Sequence, residues 1–451
     1  MFRLALALLL ATPAVAAPTP RDLALAAGYK AAFLCSDIFV AGRTEAQATA
    51  DDLTGIYPEF QPLVGNLPAT IDRTARTVSV AFDAKLPPRV AAWRPHLGCA
   101  QLPIGADPAT VPALPRIDLP PPDLAASDAR AWPLGDATAM PSPSPKLAAV
   151  VAAAFDRATY GAASETTAVI VLVDGRIVAE RYRPDFDMHT PQRTWSVAKS
   201  LTATLVGRAA ALGLVDAAKP PQVREWTVVP GDPRARISFK QLLRMNSGLW
   251  TAGPGNRTDA LYLGGATVSK TAAAMPLEAA PGTRFRYSNN DSLLAAYGLQ
   301  APLGRSARAF PFVELLWPLG MMRTTPETDW QGTFVLSSQV WMTARDLARL
   351  ALLYQNDGVW GGRRLLPEGW SRFVASPTGA QPPAGGGYGA GFWLHGATQG
   401  VPAGTYAMHG NRGQYAVIVP SARVVVVRRG FDASGVAFDV ARFTADVLSA
   451  R

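Results

Sequence analysis

"TWSVAKSLTATLVG", Thr194 to Gly207, sets a serine and, three positions later, a lysine into an otherwise apolar stretch. As a helix this segment turns Trp195, Ala198, Leu201, Leu205 and Ala209 toward a core, and Lys199 falls on the same buried arc. An ammonium held in a core is strongly disfavoured unless it is paired or gives up its proton. The lysine therefore has a chemical role beside Ser196. Residues at i and i+3 share a helix face, and a serine that opens a helix is surrounded by unspent backbone N–H groups. One short element thus supplies a nucleophile, a base and part of an oxyanion site. The spacing Ser-x-x-Lys is common by itself, and burial of the lysine is what singles this one out.

Other nucleophile arrangements fit less well. Thr194 and Ala198 stand where a G-x-S-x-G elbow needs glycines, and no such elbow occurs elsewhere. Of the four histidines, His96 and His189 read as surface or loop residues and His395 as the end of a strand. No metal-ligand spacing, P-loop or dinucleotide-binding glycine motif is present, so no metal and no cofactor is expected. The glycines of "AGGGYGAGFW" (384–393) precede a strand-like run and read as a loop.

The first residues, "MFRLALALLLATPAVAAP", have one arginine, a short apolar run and small residues at Ala14 and Ala16, which predicts a secretory signal over 1–16 and export to the periplasm or medium. No later run reaches about 18 apolar residues, so no transmembrane anchor is expected. Export makes a disulfide between Cys35 and Cys99 the natural reading. The formal charge of +9 comes from scattered single arginines without a basic run, which argues against nucleic acid as a partner and leaves at most a mild affinity for anionic envelope surfaces. The oligomeric state stays open.

Residues 112–146 are dense in proline and poor in periodicity, a semi-rigid connector or a strap lying over the next domain. They separate a small N-terminal module (17–111), in which "RTVSVAF" from Arg76 reads as a strand, from a larger unit over 147–451. That unit opens with a helix predicted over Ala148 to Tyr160, followed by a hairpin in "TAVIVLVDGRIVAERY" whose turn is Asp174 and Gly175, both tolerant of positive φ. Near the C-terminus "QYAVIVP" and "ARVVVVRRG" repeat the arrangement about Ser421, before a last helix predicted over Val436 to Leu448. Strands at both ends and helices between them imply an α+β fold: one antiparallel sheet closed by the terminal segments, with the middle inserted as a second lobe and a cleft between.

Three short motifs then come in order: "SVAKS" (196–200), "YSN" (287–289) and "HGN" (409–411). With "LLRMNSGL", "SSQVWMTARDLARLALLYQNDGVWGGRRLLPEGW", "YGAGFW" and "GNRGQYAVIVP" between and around them, the chain from about Trp132 onward resembles serine hydrolases with the class C β-lactamase fold. It looks most like the branch of 6-aminohexanoate-oligomer hydrolases and family VIII esterases. The resemblance implies an antiparallel sheet flanked by helices with an inserted, mainly helical lobe. It implies that Ser196 is acylated, that Lys199 keeps it deprotonated and that Tyr287 relays protons to and from the leaving group. Asn289 would orient the lysine and the substrate, and the backbone N–H groups of Ser196 and Asn411 would hold the oxyanion. His409 and Gly410 would line the substrate site. The motifs leave open which of Lys199 and Tyr287 is the formal base.

The chain departs from the β-lactamase pattern in its third motif. Where a lysine usually meets the substrate carboxylate, it has Met408, His409 and Gly410. That favours a neutral ester or amide, with a protonated His409 or Arg412 as the cations able to restore recognition of an anion. Trp195, Trp250, Trp341 and Trp393 lie in motif segments and suggest an aromatic-lined cleft. The expectation is an exported serine hydrolase acting on a small ester or amide. A D-amino-acid peptidase or weak β-lactamase near peptidoglycan is the alternative enzyme, and a non-catalytic envelope-binding protein the alternative of another class.

Overall fold

The computed structural model describes residues 17–139, 141–252 and 258–451; the expected signal segment, 1–16, lies outside the described residues. Helix α1 (Pro20–Phe39) starts on a reciprocal cap in which Thr19 Oγ1 accepts the Asp22 N–H at 3.2 Å and the Asp22 carboxylate accepts the Thr19 N–H at 2.9 Å. It packs on an antiparallel sheet of β1 (Ala69–Asp72), β2 (Thr77–Val80), β3 (Arg89–Arg94) and β4 (Gly98–Gln101), in that order. The strand read from Arg76 is thus shorter than its sequence pattern, four residues long, with Val78 and Val80 buried. A disulfide joins Cys35 of α1 to Cys99 of β4, with Cα atoms 6.1 Å apart.

These residues share a core with the rest of the chain. Phe33 of α1 lies 5.8 Å from Trp195 between ring centroids, and the Arg193 guanidinium sits over both rings at 4.6 and 4.2 Å. Buried Glu327 accepts from Ser36 Oγ at 2.6 Å and from the Cys99 N–H at 2.9 Å. Closing a loop with a sequence separation of 64 residues stabilises a fold by about 4 kcal/mol in the chain-entropy model. The double variant Cys35→Ala/Cys99→Ala is expected to lose about that much in chemical denaturation; a midpoint unchanged from the parent would remove the disulfide from the stability of the protein.

The second part opens with α2 (Pro145–Ala153), then β5 (Thr166–Val173) and β6 (Arg176–Tyr182). Asp174 and Gly175 join these strands with φ of 49° and 78°, and Val173 pairs Arg176 directly, the two-residue turn expected of this pair. Next in the chain are α3 (Val197–Ala211), α4 (Asn289–Tyr297), α5 (Ala344–Gln355), β7 (Trp393–His395), β8 (Thr405–Gly410), β9 (Gln414–Val419), β10 (Val424–Gly430) and α6 (Val440–Ala450). The six strands form one antiparallel sheet in the order β7-β8-β9-β10-β5-β6, so the last strand lies beside the first of this part.

Successive residues of a strand point to opposite faces. Val169, Val171, Val424 and Val426 join α2 and α6 on one side, whereas Ile170, Leu172, Val425 and Val427 face α3 and α5 on the other. Both faces are covered, which is why these strands read as unbroken apolar runs. The fold is α+β, an antiparallel sheet flanked by helices with a mainly helical lobe inserted between α3 and α5.

Two helix boundaries differ from expectation. The helix read over Ala148–Tyr160 occupies Pro145–Ala153, because Ser144 caps the Leu147 N–H and the Asp156 carboxylate binds the Ala158 and Thr159 N–H groups in a turn. The last helix starts at Val440 rather than Val436, where Asp439 accepts the Arg442 N–H at 3.0 Å. Phe438 inserts from the loop between Tyr160 and Phe443.

Within the proline-rich stretch, residues 133–136 lie as a strap against α5. Arg349 of α5, 1% exposed, donates to Pro133 O, Gly135 O and the Asp136 carboxylate, and Arg345 donates to Asp136 O at 2.6 Å. Among the described residues no helix is long and apolar enough to cross a membrane.

Candidate active site

Three element ends converge on Ser196. The residue occupies the N-cap position of α3, directly after Trp195, whose φ of 51° lies in the left-handed region that a bulky residue rarely adopts. This sharp turn comes after the short strand Gln192–Arg193, which pairs with Val340–Met342, and presents the serine at the cleft. From the sheet, β8 ends at Gly410, where a Cβ atom would stand 2.2 Å from Thr194 O. Only glycine lets the third motif approach the nucleophile turn so closely.

Lys199 is 1% exposed and its Nζ is hydrogen-bonded to Ser196 Oγ at 3.1 Å, Asn289 Oδ1 at 2.5 Å and Ser337 O at 3.0 Å. Three acceptors match the three protons of an ammonium. Burial nonetheless pulls its pKa from the usual lysine range down to about 7, with Asp291 opposing. Asp291, fastened by Ser247 Oγ at 2.7 Å, is itself pushed up to about 7 by burial, against the Ser247 hydrogen bonds and the charge of Lys199. Asn289 is the first residue of α4, and its amide also reaches Thr258 Oγ1 at 3.3 Å.

Tyr287 lines the cavity together with Ser196, and its ring centroid is 4.9 Å from Lys199 Nζ. Burial raises its phenol above the ordinary tyrosine value, and the nearby Ser196 side chain offsets this only in part. The ring packs against Trp393 at 5.4 Å and edge-on to Tyr388 at 5.9 Å.

A cavity of about 390 Å³ opens above these groups. Ser196, Tyr287, Asn289, Trp393, His409, Gly410 and Asn411, all singled out in the sequence, line it together with Trp195. So do Tyr57, Tyr262, Ser338 and Tyr415, which the sequence reading missed. Tyr415 had a signal, since it stands opposite His409 in the β8–β9 register. Tyr262, hydrogen-bonded to Ser337 Oγ, and Tyr57 of the N-terminal part lie in no motif.

Several expectations are corrected. Trp341 is 1% exposed in the core strand Val340–Met342 and does not reach the cavity. Trp250 is 40% exposed and is not among the residues that line it. His409 does face the cavity, but its Nε2 is 3.0 Å from His395 Nε2, and burial together with that neighbour lowers its pKa to about 3. It is a neutral imidazole and supplies no charge. Arg412 is spent elsewhere: its guanidinium donates to Thr54 O at 2.7 Å, Phe431 O at 3.2 Å and Asp432 O at 3.2 Å.

Residues 150–428, more than half of the chain, match the family model described as Beta-lactamase. The chain belongs to the beta-lactamase family. It is accordingly a serine hydrolase of that fold. No curated protein matches it. Among solved structures, this family member is similar to a protein assigned as a 6-aminohexanoate-dimer hydrolase of Bacillus anthracis, with 20% identity, TM-score 0.54, and 74% of this chain and 86% of the other covered. It is similar to a family VIII carboxylesterase, with 17% identity, TM-score 0.53, and 69% and 98% covered. A penicillin-binding protein homolog of Caulobacter crescentus gives 16% identity, TM-score 0.54, and 70% and 100% covered. At these identities the structures speak for the fold of this hydrolase and not for its substrate.

Proposed function

We propose that this hydrolase cleaves a neutral ester or amide through an acyl-enzyme on Ser196. The observation that carries the reading is Lys199 Nζ at 3.1 Å from Ser196 Oγ in a site dry enough to bring that amine down to about 7. Neutral Lys199 accepts the serine proton as the hydroxyl attacks. Tyr287, whose phenol burial keeps protonated, passes a proton to the leaving group and is replenished through Lys199. That division makes the lysine the formal base and the tyrosine the acid. Asn289 holds the lysine in line, and the backbone N–H groups of Ser196 and Asn411 take the oxyanion.

The cavity lining supports the neutral substrate. Among the described residues that line it none is a lysine or arginine, Met408 is buried in the core, and His409 is uncharged. A peptidase or β-lactamase that needs to hold a carboxylate is correspondingly disfavoured, and the intact Ser-Lys-Tyr contacts speak against a binding protein without turnover. The signal-like first residues and the Cys35–Cys99 disulfide support export.

The direct test is a fluorophosphonate probe with subsequent peptide mapping, with label expected on Ser196; label on another serine of the native protein overturns the assignment. The pH profile tests the base. A lysine with a lowered pKa is competent only when neutral, so kcat/KM for an ester is expected to rise tenfold per unit below pH 7 and to level off above it. A rise centred near 10 would mean that Lys199 keeps an ordinary pKa.

A further inference from the structure

We propose that Tyr57 of the N-terminal part is a specificity-determining wall of the catalytic cleft, one that limits the size of the acyl group. This rests on the reading of Tyr287 as proton donor to the leaving group. Tyr57 lies outside the stretch that matches the family model, 150–428, yet it lines the same cavity as Ser196.

Two aromatic clusters border the cavity that holds Ser196, one through Tyr287 and Trp393, the other through Trp195 and Tyr57. One consists of Tyr287, Trp393 and Tyr388, packed within 6 Å of one another. The other runs from Trp195 through Phe33 and Tyr29 to Tyr57, with successive centroids 5.8, 4.4 and 6.4 Å apart. A leaving group must sit on the side of its proton donor, which is the Tyr287 wall. The acyl group then extends toward Trp195 and Tyr57.

The segment that carries Tyr57 is held firmly. Arg412, next to the oxyanion residue Asn411, donates to Thr54 O at 2.7 Å, and the Ser434 N–H donates to Gly55 O at 2.9 Å. On the other side Gln61 accepts the Ile56 N–H at 3.1 Å and donates to Leu53 O at 3.1 Å. These anchors use backbone atoms of the segment, so they persist when the Tyr57 side chain is changed. A rigid aromatic at the end of a pocket excludes groups longer than the space before it.

The experiment compares p-nitrophenyl acetate, butyrate and octanoate, in which only the acyl group changes, on the full-length parent and on Tyr57→Ala and Tyr57→Trp. Fluorophosphonate labelling of Ser196 checks each protein. The octanoate-to-acetate ratio of kcat/KM is expected to rise tenfold or more in Tyr57→Ala and to fall in Tyr57→Trp. Ratios within threefold of the parent in both labelled variants overturn the proposal. So does a change confined to a series of butyrate esters of larger alcohols, which would put Tyr57 on the leaving-group side. A parent that neither labels at Ser196 nor turns over any ester overturns the functional reading itself.

Discussion

Ser196→Ala will give a folded protein without esterase activity, and Lys199→Met will lower kcat/KM by roughly 10²- to 10⁴-fold, the usual worth of a general base. The serine substitution deletes one oxygen at a helix start whose side chain makes no capping bond, so stability should hold. Removing the Lys199 amine takes one donor from Asn289 Oδ1 and from Ser337 O, and methionine is the choice that keeps the apolar stem packed. Tyr287→Phe separates the base from the acid. A p-nitrophenolate leaves without a proton and an amine does not, so this variant should lose far more on an anilide or amide than on a p-nitrophenyl ester. Steady-state kinetics on both substrates decide it, and near-parental amide turnover by Tyr287→Phe takes the tyrosine out of the mechanism.

The second large effect concerns charge. A carboxylate beside the scissile carbonyl gains about 1.5–3 kcal/mol from a charge-assisted hydrogen bond to a cation, and the described residues that line this cavity provide none. It must instead be desolvated against neutral groups. A chromogenic cephalosporin should therefore trail p-nitrophenyl butyrate in kcat/KM by roughly ten- to a hundredfold or more. Protonation of Lys199 slows both substrates alike as pH falls through about 7, and His409 stays neutral down to about 3. The ratio of the two should then be flat from pH 5.5 to 8.5. A cephalosporin that gains on the ester toward acid would restore a charged His409; one that matches it throughout would overturn the neutral-substrate reading.

Much of this was legible along the chain because it depends on local geometry. Ser196 and Lys199 are one helical turn apart wherever that helix lies, and Asp174-Gly175 makes its tight turn from the φ values both residues accept. The covered sheet showed in the unbroken valine runs of β5 and β10. Helix ends were less legible, since side-chain caps at Ser144 and Asp439 overrode the apolar spacing.

What only the tertiary structure decided is the environment of those groups. The sequence by itself singled out the candidate groups: a serine, a lysine, a tyrosine and a strand end at His409 and Gly410, followed by Asn411. Their protonation depends on the water that remote residues exclude. Lys199 titrates near 7 because α4 and Ser337 close over it, and His409 is neutral because His395 and the sheet do the same. Trp341 went to the core while Tyr57 and Tyr262 reached the cavity, and Arg412 was turned from the substrate to Thr54. Desolvation and shape are sums over residues distant in the chain, so no local pattern encodes them.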